Sequence, residues 1–208
     1  MVLIPQVITE DRASGGQVSD GSLKFDSGNS THLTRTPTSA GNSQVFTISF
    51  WVKRQAPGAE DICTGDDQNG FFINFQTGDA LYLYDFNAAS GGFQIWSPRV
   101  FRDTSAWYHI VVAVDSTQAT DSNRVKVYVN GEQEDLSTWN VGSGASRYPT
   151  QNANLDWNNT NSHEIGTANN YGYLDGYLDG SGWLPQGYLG GYLGGYLNGY
   201  LDCYLDGS

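Results

Sequence analysis

Glu132 and Glu134 stand two residues apart, so on an extended strand they share a face, the least that general acid/base work on a glycosidic bond requires. That chemistry needs two carboxyls converging at about 5–10 Å in a partly dry groove. The pair directly follows Asn130-Gly131, with Asp135 behind it, and the outward face of a returning strand ordinarily carries charge. A solvated strand face is the reading this position favours, and the chain is expected not to be an enzyme. His32, His109 and His163 are dispersed, with no cysteine or second histidine at zinc-ligand spacing. His109 falls inside an apolar run and reads as a hydrogen-bonded strand residue.

Two stretches offer the hard oxygens that calcium takes, six to eight at a time. One is Asp66-Asp67-Gln68-Asn69; the other runs from Asn152 and Asn154 through Asp156 to Asn158, Asn159 and Asn161. Asp66, Asp67, Asn69 and Asp156 are the candidate ligands of a calcium ion, against the alternative that Asn and Asp serve the turns themselves. The second stretch also holds Trp157, preceded by Trp139 and Tyr148. An aromatic ring stacks on the C–H face of a pyranose while amides and carboxylates take its hydroxyls. Trp157 with Asp156, Asn158, Trp139 and Tyr148 is therefore the candidate glycan site, and its alternative is that Trp157 plugs one end of the fold.

The elements that must position these residues are strands. The chain has 208 residues, 26 of them Gly, a net charge of -12 and only 15% charged residues, a balance suited to short strands and long turns. Phe46, Ile48, Phe50 and Val52 alternate with Thr47, Ser49, Trp51 and Lys53, a half-buried strand. Trp107 to Val114 is apolar on both faces apart from His109, as for a central strand covered on both sides. Arg124 to Val129 alternates and runs into Asn130-Gly131, a hairpin signal because both residues tolerate positive φ. Phe71–Phe75 and Leu81–Phe86 flank a turn at Thr77-Gly78-Asp79, and Ser22–Asp26 and His163–Gly166 add further strands. The sum is an all-β, two-sheet antiparallel sandwich.

No basic residue follows Arg147, so the C-terminal part cannot neutralise phosphates, and nucleic acid is excluded as a partner. No apolar run approaches the roughly 20 residues of a membrane span. The opening Val2-Leu3-Ile4 meets Pro5 without a preceding basic residue, which is not an export signal. Cys63 and Cys203 could pair, although two thiols are the plainer reading for a protein made in the cytosol.

From Tyr171 onward the chain repeats Tyr-Leu-x-Gly. A Gly in nearly every unit costs a helix about 1 kcal/mol each. In a strand a period of four puts every Tyr on one face and every Leu on the other. Ser181 to Gln186 breaks the phase, with a turn expected at Pro185. Tyr188, Tyr192, Tyr196, Tyr200 and Tyr204 form an assembly candidate, because an aromatic ribbon with open edges pairs with another copy; the alternative is a low-complexity end. The expected organisation is an N-terminal arm over 1–20, a sandwich over 21–182 and a repeat tail over 183–208.

The blocks Ser22–Asp26, Phe46–Arg54, Trp107–Asp115, Arg124–Glu132, His163–Gly166 and Tyr173–Asp179, in that order, resemble the concanavalin A-like, laminin-G-like jelly roll. Pro5–Ile8, Asp11–Gly15 and Phe101–Trp107 are similar to the jelly-roll modules of tailed, especially marine, bacteriophage fibres and appendages. The resemblance implies that the first and last strands lie side by side, with Leu23 and Phe25 near Leu174 and Leu178. It implies a non-enzymatic structural and adhesion module on a virion surface, assembling as a homo-oligomer or with other virion proteins and binding a host-surface glycan. The alternatives are a glycan-active hydrolase of the same superfamily and a monomeric carbohydrate-binding module.

Overall fold

The computed structural model describes residues 22–65, 70–86, 93–136, 148–168 and 172–185. In chain order the strands are β1 (Leu23–Phe25), β2 (Leu33–Arg35), β3 (Val45–Arg54), β4 (Glu60–Gly65), β5 (Phe71–Phe75) and β6 (Ala80–Asp85). They continue as β7 (Phe93–Val100), β8 (Tyr108–Asp115), β9 (Val125–Val129), β10 (Glu132–Gln133), β11 (His163–Ile165) and β12 (Gly176–Pro185). They form two six-stranded sheets, one ordered β1-β12-β3-β8-β9-β10 and the other β2-β11-β4-β5-β6-β7. Every pairing is antiparallel.

The period of two in the sequence decides which face is buried. Phe46, Ile48, Phe50 and Val52 of β3 point inward and are at most 2% exposed, while the residues between them are half-buried. From the other sheet Phe71, Ile73, Phe75, Leu81, Leu83, Phe93 and Ile95 meet them in one core. Each such side chain contributes about 1.5–3 kcal/mol on burial, so the register of both sheets is fixed by which side chains face inward. A one-residue slip in β3 would bring Ser49 and Lys53 into the core.

Leu23 stands opposite Leu178 in the register of β1 on β12, which joins the two ends of the sandwich. Leu174 and Leu178 face the core, while Tyr173 and Tyr177 are half-buried on the other side. The alternation read from the repeat therefore holds over its first two units. The phase break is a bulge in β12 between Asp179 and Gly182, after which the backbone pairs on to Pro185 opposite Phe46. The expected boundary at residue 182 thus falls inside a strand. The N-terminal arm and Tyr188, Tyr192, Tyr196, Tyr200 and Tyr204 lie outside the described residues.

One strand expectation changes. β8 is central in its sheet, between β3 and β9, but its burial alternates, so only one of its faces is covered. The outward face of β8 is not enclosed by a second layer, and the apolar Val111 and Ala113 sit there half-buried. β4 and β7, which are not among the strands expected from the sequence, complete the second sheet: β4 is buried on both faces, and β7 runs through Pro98 as the sheet's edge. The β9–β10 turn is the expected one, with Asn130 at φ 53° and Gly131 at φ 84°.

Candidate functional site: an aromatic sheet face

The loop carrying the sequence candidates is packed inward. Trp157 is 3% exposed, with its ring against Phe71 at 5.7 Å between centroids and edge-on to His163 at 4.7 Å. A ring enclosed this way has no open face for a pyranose, so Trp157 fills the end of the sandwich. Tyr148 and Asn158 are buried as well. Asn158 adopts left-handed φ of 61°, its Nδ2 donates to the Asn42 carbonyl, and its own carbonyl accepts the Gly41 N–H. His163 accepts the Asn158 N–H at Nε2, so Nε2 carries no proton and the Nδ1–H donates to the Asn161 carbonyl.

Several polar groups of this loop are engaged by the loop or its neighbours. Asn159 donates to Asp156 Oδ1, the Asn161 N–H donates to Asn159 Oδ1, and the Asp156 N–H donates to the buried Asp85. This is the turn chemistry that competes with calcium for the same oxygens. Among the described residues no group of three or more His, Cys, Asp or Glu is placed to hold a metal ion. Asp66, Asp67 and Asn69, like Trp139, lie outside the described residues.

Glu132 and Glu134 converge on a base. Arg99 Nε donates to Glu134 Oε1 at 2.9 Å and its terminal nitrogen reaches Glu132 Oε2 at 3.3 Å, while Ser97 Oγ donates to Glu134 Oε2 at 2.9 Å. Arg99 and Ser97 belong to β7, the edge of one sheet, and the glutamates to β10 and the residues just after it, the edge of the other. The cluster clasps the two sheets along one side, and neither carboxyl faces its twin across an open groove. His109 lies on the outer face of the first sheet, stacked on Trp51 at 4.8 Å with its Nε2 3.0 Å from Ser49 Oγ, and burial lowers its pKa.

The residues that combine stacking rings with polar groups lie instead on the outer face of the second sheet. Because Phe71, Ile73, Leu81, Leu83 and Ile95 point to the core, their neighbours Phe72, Asn74, Tyr82, Tyr84 and Trp96 must point away from it. The register places Tyr82 opposite Trp96 and Phe72 opposite Tyr84, and both pairs stack, at 4.8 and 4.7 Å. Phe86, just past β6 and 52% exposed, continues the second stack against Tyr84 at 4.7 Å. Tyr82, Tyr84, Gln94 and Trp96 are half-buried, whereas Phe72 forms the floor at 6% exposed. Cross-strand aromatic pairs contribute about 0.5–1.5 kcal/mol beyond their area, so the rings stand in fixed orientations rather than as loose surface side chains.

A polar row runs beside them. Asn74 Nδ2 donates to Asp61 Oδ1 at 2.8 Å and to the Tyr84 hydroxyl at 2.9 Å. Burial pushes the Asp61 carboxyl up to about 6, against which Asn74 is the lesser, lowering influence. Tyr84 is pushed up to about 12, first by burial and then by the negative charge of Asp61. An aromatic floor edged by amide, phenol and carboxyl groups can hold the apolar face of a sugar ring while bonding its hydroxyls. Sequence reasoning missed this face, although the alternation Leu81-Tyr82-Leu83-Tyr84 and the spacing of Gln94 and Trp96 carry its signal.

Among curated protein sequences, none matches this chain. Its fold is similar to the native heptameric SAP-like pentraxin of Limulus polyphemus, at 16% identity and a TM-score of 0.47 over 72% of this chain and 67% of that one. Domain 4 of AbnA, a GH43 extracellular arabinanase from Geobacillus stearothermophilus, follows at 17% identity and a TM-score of 0.46, over 67% and 59%. Domains LG4-5 of the mouse laminin alpha1 chain align at 13% identity and a TM-score of 0.49, over 79% of this chain and 43% of that one. The family model of the Concanavalin A-like lectin/glucanases superfamily matches residues 26–182, the whole span from the first strand's end to the bulge in the last, and this chain belongs to that superfamily.

Proposed function

We propose that this domain is a non-enzymatic glycan-binding module whose binding surface is the outer face of the second sheet. The observation that carries the reading is the pair of cross-strand stacks, Tyr82 on Trp96 and Phe72 on Tyr84, with Asn74, Asp61 and Gln94 beside them. Stacking on Tyr82, Trp96 and the exposed Phe86 supplies the attraction, and the amide and phenol groups supply orientation. The non-enzymatic part of the reading is supported by the clasp of Arg99 on Glu132 and Glu134, which uses the spaced carboxyls to hold the sheets together. An adhesion role on a virion surface, resting on the resemblance of Phe101–Trp107 and its companion blocks, is part of the same proposal. A glycan array run with and without calcium tests it: retention of a defined sugar class that Trp96→Ala weakens is the expected result, and retention unchanged by that substitution refutes the assignment of the face.

A further inference from the structure

Asp61 is a carboxyl in a place where a carboxylate is costly. It is 9% exposed on the outer side of β4, and Gly172, at φ +61°, closes over it so tightly that a Cβ there would collide with Oδ2. Its Oδ1 accepts a hydrogen bond from the Asn74 side chain. The ionisable group facing it through that amide is Tyr84 from β6. Glu60, next on the same strand, points to the opposite side and is held by Arg54, while Glu164 of β11 stands opposite Thr64, beyond the β4 irregularity.

The amide has two N–H hydrogens, and the geometry spends one on Asp61 and the other on Tyr84. Asn74 is 3% exposed, and its Oδ1 is buried without a hydrogen-bond partner. Turning the amide over would aim that oxygen at an ionised carboxylate, acceptor against acceptor. The charge on Asp61 therefore holds the amide in one orientation, even though this leaves a buried carbonyl unsatisfied. The Tyr84 oxygen, having accepted from Asn74, keeps its own hydrogen for another partner.

We propose that Asp61 acts through Asn74 as a positioning residue that presents the Tyr84 hydroxyl as a hydrogen-bond donor to an acceptor oxygen of the bound glycan, and that protonation of Asp61 withdraws that donor. The inference rests on the glycan-binding reading of this face. A neutral Asp61 no longer repels the Asn74 carbonyl, so the amide is free to turn and accept the Tyr84 hydrogen. The face then offers only a phenol lone pair where it had offered a donor, and it loses preference for glycans with an acceptor at that point.

Two measurements on the full chain separate this inference from the reading beneath it. In the ligand-free protein, the Asn74 side-chain amide signals in 1H–15N spectra should titrate with a midpoint of about 6 and be flat in Asp61→Asn. Calorimetric binding to a panel of neutral and acidic oligosaccharides should weaken roughly threefold to tenfold, the worth of one hydrogen bond, as pH falls through that midpoint. Asp61→Asn and Tyr84→Phe should both flatten the profile, with circular dichroism confirming that each folds. A titrating amide in a protein that binds no glycan overturns the reading of the face. Glycan binding that is independent of pH in the wild type, or that keeps its pH dependence in either variant, overturns the relay.

Discussion

Arg54 Nη1 donates to Asp79 Oδ1 at 3.1 Å although Arg54 ends β3 in one sheet and Asp79 lies in the β5–β6 turn of the other, and the arginine side chain is fully buried where they meet. The same guanidinium donates from Nε to Glu60 Oε2 at 2.9 Å and to the carbonyls of Phe101 and Gly58, and it lies 4.3 Å from the Phe75 ring centroid. Asp79 also accepts from Arg102, whose hydrogen bond together with those of Gly58 and Arg54 lowers its pKa despite burial. Glu60 goes the other way, raised chiefly by desolvation against the pull of Arg54. One cation thus ties the end of β3 to β4 and to the β5–β6 turn.

Truncating that cation strands Glu60 in a buried site, while Asp79 keeps Arg102 and the Gly58 N–H. Arg54→Ala is expected to destabilise the domain by about 3–5 kcal/mol, the cost of breaking a buried pair by removing one partner. Denaturant unfolding measures it. Arg54→Lys should recover little, because a point charge cannot replace the fork that reaches Glu60, Asp79 and two carbonyls.

Trp157 and Trp96 should separate cleanly. Trp157→Ala empties the end of the core and is expected to cost about 3–5 kcal/mol, with glycan binding of the folded fraction unchanged. Trp96→Ala removes an outward ring, so its unfolding midpoint should move little while binding weakens. Thermal melts paired with binding titrations on both variants check the contrast.

Asp61 imposes a pH-dependent cost on stability. Its carboxyl is raised from 3.8 to about 6 in the folded chain. Below the lower value it is neutral in both states and costs nothing; the penalty grows between the two values and is complete above the upper one, at about 3 kcal/mol. Asp61→Asn should therefore be more stable than the wild type at neutral pH, with the gain shrinking as pH falls toward the unfolded value. Unfolding free energies measured across that window decide it; a constant difference would show that the carboxyl titrates normally.

Most of the sandwich was legible in the sequence because one-sided burial writes itself as alternation. Val45–Lys53, Arg124–Val129 and the Asn130-Gly131 turn are strands and a hairpin for the reasons their residues suggest. β4 was not legible, since Glu-Asp-Ile-Cys-Thr-Gly alternates nothing when both faces are buried and a register shift falls within the strand. The site was misplaced for a related reason. Trp157 lies among Asp and Asn and looks like a polar loop's exposed ring, but those polar residues are consumed by turns and caps. Tyr82, Tyr84 and Trp96 look like strand filler one at a time, and only the register of β5, β6 and β7 shows that their rings form two stacks. Arg54 was equally hidden, as a basic residue at a strand end is ordinarily solvated.

The most direct test of the account is calorimetric titration of the folded protein with the oligosaccharide class retained on the array, comparing the wild type with Tyr82→Ala and Trp96→Ala. Loss of one stacked ring should weaken binding by about 1–2 kcal/mol, roughly fivefold to thirtyfold, in each variant, with both remaining folded. Binding by both variants at wild-type affinity would contradict the assignment of the aromatic sheet face as the glycan site.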